Sequence, residues 1–167
     1  MRPPAAPATP TICCGAWTGA ACSSRRPCVP APLYDYAVIR AVPRVEREEF
    51  INVGAILSCP GQRFLDACVA LDPDRLRALD PHIDPEPLQR HLDALVAVAR
   101  GLPGSGAIGQ LPQRARFHWL TARRSAVIQV SPVHTGWCTG APDAILDALM
   151  TRMVLPPGRS TPAARGR

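Results

Sequence analysis

The sequence predicts an α+β domain with a mainly antiparallel sheet, from three observations. Three β-branched, aromatic-bearing segments come first, two Asp-Pro helix starts follow, and one further β segment precedes a last amphipathic stretch. The order reads β-β-β-α-α-α-β-α, four strands with helices packed on them, rather than the strict alternation of a doubly wound parallel sheet. A chain of 167 residues, 47% hydrophobic, suits one domain with one packed core.

The first strand is Tyr34 to Val42, closed by Pro43. Arg44 to Glu49 is charged and reads as a connection, and Phe50 to Ser58 is the second strand. Pro60-Gly61 carries the type II turn signal, proline at the first central position and glycine at the second. Phe64 to Leu71 then completes a hairpin. Asp72-Pro73 and Asp84-Pro85 each set a capping carboxylate before proline in the first helical position. The first of these helices is short, through Leu79; the second runs to about Arg100 and aligns Leu88, Leu92, Leu95, Val96 and Ala99 on one stripe. Gly101 stands where a left-handed residue ends a helix. After a glycine-rich loop, residues 112–120 form a short helix and residues 125–130 a fourth strand. The last helix begins at Pro142, lines up Ile145, Leu146, Leu149, Met150 and Met153, and stops before Pro156-Pro157.

The domain organisation follows from composition. Residues 1–33 are rich in Pro, Ala, Ser and Cys, show no period of a strand or helix, and are expected to be a disordered extension. Residues 34–155 form the single domain, and residues 156–167 a disordered basic tail. The formal charge of +6 belongs to those ends: all 19 basic residues are arginine, each tail has three and no acid, and the middle balances 13 arginines against 13 acids. Without a basic cluster on the folded part, nucleic-acid binding is not expected. No stretch is long and apolar enough for a membrane helix, and the proline-broken N-terminus lacks the apolar core of an export signal. The expected location is the cytoplasm.

The motifs that suggest chemistry do not hold up in context. Of the seven cysteines, no two have CxxC spacing, so neither zinc nor a disulfide framework is expected. Gly104-Ser105-Gly106-Ala107-Ile108-Gly109 matches GxGxxG, but a helix rather than a strand precedes it and no acid follows before Asp143. The histidines offer no ligand pair at helix or strand spacing to join Glu46, Glu48 and Glu49 in a metal site. There is no lysine for a phosphate loop and no nucleophile elbow. No cofactor is expected, and the chain reads as a non-enzymatic module more readily than as an enzyme.

Two segments hold more hydrogen-bonding side chains than packing requires: Arg40 to Asn52, and Arg116 to Thr135. If the first and fourth strands are neighbours, Arg44, Glu46, Arg47, Arg116, His118, Arg124 and His134 can converge on one exposed polar surface. Its chemistry is capture of an anion or carboxylate by arginine, with a histidine as auxiliary donor. The competing reading is a structural network of Arg–Glu pairs. A mid-strand Arg40 on an apolar face is expected to pair with a carboxylate.

The same segments carry a resemblance. Tyr-Asp-Tyr-Ala-Val-Ile-Arg (34–40), Pro-Arg-Val-Glu-Arg-Glu-Glu-Phe-Ile-Asn-Val-Gly (43–54), Arg-Phe-His-Trp-Leu-Thr-Ala (116–122) and Ser-Pro-Val-His-Thr-Gly (131–136) are similar to the bacterial family called domain of unknown function 3037. The likeness covers about residues 34–155 and departs at Arg123 and Ala126, where the family pattern has Pro and Thr. The resemblance implies no established activity. It implies a partner or regulator role, with a HipA-like kinase as the protein partner. The alternative is a binder of, or enzyme on, an anionic or phosphorylated small molecule.

Overall fold

The computed structural model describes residues 31–158. Most of the two expected tails, residues 1–30 and 159–167, lies outside the described residues. The α+β reading holds: a five-stranded antiparallel sheet carries helices on both faces. In chain order the elements are β1 (Leu33–Ala41), β2 (Ile51–Cys59), β3 (Phe64–Val69), α1 (Pro73–Leu79), α2 (Pro85–Arg100), α3 (Gly106–Gly109), α4 (Gln113–Thr121), β4 (Ile128–Val130), β5 (His134–Trp137) and α5 (Pro142–Met153). The sheet order is β3-β2-β1-β4, and β5 also pairs with β1. β4 takes the Ile39–Ala41 end of β1 and β5 takes the Leu33–Tyr36 end, so the two short strands share one edge.

A bulge decides which residues of β2 lie on each face of the sheet. Ile39 pairs with Gly54 and Arg40 with Asn52, leaving Val53 as the extra residue in β2. The side-chain parity of β2 therefore switches. Ile51, Val53 and Ile56 join a core with Leu76, Leu92, Phe117 and Leu120 from α1, α2 and α4. Ala55, Leu57 and Cys59 face the opposite way, against Leu146, Leu149 and Met150 of α5.

The helix caps are as expected. The Asp72 carboxylate accepts from the amides of Asp74 (3.1 Å) and Arg75 (3.2 Å), and Asp84 accepts from Glu86 (3.0 Å). Gly101, at φ 67°, ends α2.

Four details differ from expectation. The hairpin loop is not type II: residues Pro60–Gln62 form a 3-10 turn, and the left-handed residue is Arg63 (φ 53°) rather than Gly61. Cys59 pairs with Phe64 across this turn. The glycine-rich loop winds into the single turn of α3, with Ser105 Oγ donating to the Leu102 carbonyl (2.6 Å). The fourth strand starts only at Ile128, and β5 has no counterpart in the sequence reading. Three of the four residues of β5 are exposed, so no apolar alternation marks it. Leu33, placed by the sequence reading in the extension, opens β1, and the Cys138 amide donates to the Pro32 carbonyl (2.7 Å).

Candidate functional site

β1 and β4 are neighbours, as the convergence argument required, with Arg40 opposite Gln129. The seven expected residues nonetheless occupy separate places. Arg44 and Arg47 bracket the 3-10 turn Val45–Arg47, where Glu46 is also exposed. Arg44 Nε lies 3.8 Å from Asp80, ahead of α2. Arg47 grips Glu49 with two hydrogen bonds, 3.0 and 2.7 Å. That bond lowers the Glu49 carboxyl pKa and raises that of the Arg47 guanidinium. Arg47 is thus engaged with a neighbour in sequence, as the structural-pair reading has it.

Arg116 is half-buried. Its Nη1 donates to the carbonyls of Val98 (3.2 Å) and Ala99 (3.0 Å), covering the C-terminal end of α2. His118 is exposed on α4, its ring 6.2 Å from that of Phe117. His134 opens β5 opposite Tyr36, with the two ring centroids 5.1 Å apart. It therefore sits at the other end of β1 from β4. Helix capping thus takes Arg116, and strand pairing places His134 at the far end of β1.

Arg124 is the exception. It lines a polar cavity of about 430 Å³ together with Arg40, Arg123, Ser125, Gln129 and the turn residues Val45 and Glu48. The cavity lies beside edge strand β4, where the two polar segments meet. Three arginines and one acid line it, and none of the three arginines forms an ion pair among the described residues. Arg40 lies over the Phe50 ring, 4.3 Å from its centroid, with its Nε buried and unpartnered. Across the strand pair, Asn52 donates to the Met153 carbonyl (2.9 Å), while its Oδ1 is buried without a partner. Arg124 is held by a hydrogen bond to the Trp119 carbonyl (2.7 Å) and lies 4.1 Å from the centroid of that residue's ring. Glu48, at φ 55°, is one of two non-glycine residues with positive φ among those described, so strained backbone forms one wall.

The sequence reading placed Arg40 and Arg123 in its polar segments but left them out of the seven. The signal was present for Arg40, a charge in mid-strand among apolar neighbours. For Arg123 only the pairing of β4 with β1 reveals its position.

Chemically, this cavity suits an oxyanion. Planar guanidinium forks match phosphate and carboxylate oxygens bidentately. Elsewhere, Cys59 and Cys138 are buried free thiols next to each other. Burial first, then the contact with Cys138, pushes the Cys59 thiol pKa up and disfavours the thiolate. No helix among the described residues is long and apolar enough to cross a membrane.

A family model described as protein of unknown function (DUF3037) matches residues 36–154. Comparison with curated proteins and with solved structures gives no match.

Proposed function

The chain belongs to the DUF3037 family, and from that premise we propose that it is a binding module with a regulatory role, capturing an oxyanion in the Arg40–Arg123–Arg124 pocket. One observation carries this reading: three arginines without ion-pair partners among the described residues line one cavity with a single acid. The arginines supply charge and fork geometry, and Ser125 and Gln129 supply neutral hydrogen bonds at the rim. A protein partner such as a HipA-like kinase belongs to the same reading if it presents a phosphorylated or acidic group.

Calorimetric titration with inorganic phosphate tests the pocket. Arg123→Ala combined with Arg124→Ala is expected to weaken binding at least tenfold, because charge-assisted hydrogen bonds contribute about 1.5–3 kcal/mol each. Both side chains are exposed, so folding should persist. Absence of binding by the unaltered protein, or equal affinity in the double variant, overturns the reading.

A further inference from the structure

On the other side of Arg124 lies an apolar groove of about 700 Å³. Leu88 and Leu95 of α2, Trp119 of α4, and Val127 and Ile128 at β4 form its walls. Arg124 lines both this groove and the polar cavity, so the two meet at one side chain. The stacking on Trp119 and the bond to its carbonyl fix that guanidinium at the boundary. The groove has the size of a small-ligand site and is mostly apolar, with few polar groups. Arg124 is its only arginine, and Asp84, its one acid, already accepts from the Glu86 amide.

Resting on the anion-binding reading above, we propose that the ligand is a single-tailed amphiphilic anion. Its oxyanion head sits among Arg40, Arg123 and Arg124, and its aliphatic or aryl tail lies in the groove against Trp119 and Leu95. Charge complementarity sets this polarity: the head goes to the three arginines, and the apolar walls beyond Arg124 receive carbon.

Octyl phosphate and inorganic phosphate, titrated in parallel into the full chain, separate this proposal from the one it rests on. Each methylene taken from water is worth roughly fourfold in affinity, so even a partly seated tail makes octyl phosphate at least tenfold tighter. Trp119 emission should shift with octyl phosphate and not with inorganic phosphate, and Trp119→Phe identifies the reporting residue. Ala94→Trp fills the groove from an exposed position on α2 and should erase the gain from the tail. Val127→Asp, which puts a charge on an exposed wall, should do the same without adding bulk. Equal affinity for the two phosphates overturns the tail site and leaves the anion pocket standing. A gain that survives both groove variants also overturns it, since the tail then lies elsewhere. Failure of both phosphates to bind removes the underlying reading, and the tail proposal with it.

Discussion

Arg116 and Arg124 both belong to one polar stretch of sequence, on and just beyond α4, yet their surroundings assign them different work. Arg116 is half-buried and serves the carbonyls at the end of α2; Arg124 is exposed and forms the partition between two cavities. Arg116→Met keeps the aliphatic stem and removes the donors, leaving the Ala99 carbonyl unserved. It is expected to cost about 1–2 kcal/mol in urea unfolding, the cost of a buried acceptor without its partner, with phosphate binding unchanged. Arg124→Ala should stay within about 0.5 kcal/mol of the parent, as exposed substitutions do. A loss of several kcal/mol for Arg124→Ala would instead mark it as structural. Composition could flag both arginines as surplus to packing. It could not sort them, because the sorting is done by contacts distant in sequence.

At the scale of elements, legibility followed local chemistry. The Asp-Pro starts of α1 and α2 and the Gly101 stop are written in residues adjacent to the feature they create, and they were readable. Gly101 also has a tertiary reason: a Cβ there would collide with the Arg116 guanidinium. The turn after Pro60, the bulge at Val53 and strand β5 depend on pairing between distant segments, and the alternating pattern does not announce them. The bulge matters most, because it puts Ile51 and Val53 on the same face as Ile56 and sets Asn52 opposite Arg40. Its next residue, Gly54, is packed against β3 and β1: an added Cβ would meet the Cys68 carbonyl oxygen at 2.6 Å and Val69 Cγ1 at 2.9 Å. Backbone cannot rotate aside as a side chain can. Gly54→Ala is therefore expected to destabilise by about 1–3 kcal/mol, the usual cost of overpacking a filled core. Chemical denaturation measures it directly; an unaffected midpoint would mean that β3 yields easily at this point.

For the whole molecule, the sheet and both cores are built from residues between Leu33 and Val154, and the pocket draws on Arg40 to Pro132. The high pI of 9.3 comes from elsewhere: Arg2, Arg25 and Arg26 precede the described residues, and Arg159, Arg165 and Arg167 follow them. Two sources of phosphate affinity are thus separable by truncation. Residues 31–158 retain the Pro32–Cys138 bond and the pairing of Leu33 with Trp137 that docks β5. This fragment should melt within about 3 °C of the full chain, a shift equivalent to under roughly 1 kcal/mol. Starting the fragment at residue 38 instead removes the whole β1–β5 pairing and should lower the melting temperature further. Phosphate affinity is expected to be the same for residues 31–158 as for the full chain, and to fall only modestly with salt, because a fixed pocket holds a few short contacts. If the terminal arginines supplied the affinity, truncation would abolish it and the full chain would show steep salt dependence, as exposed charges do at a Debye length of about 8–10 Å. That pair of results would move the anion site off the folded domain and leave its arginine-lined cavity without a role.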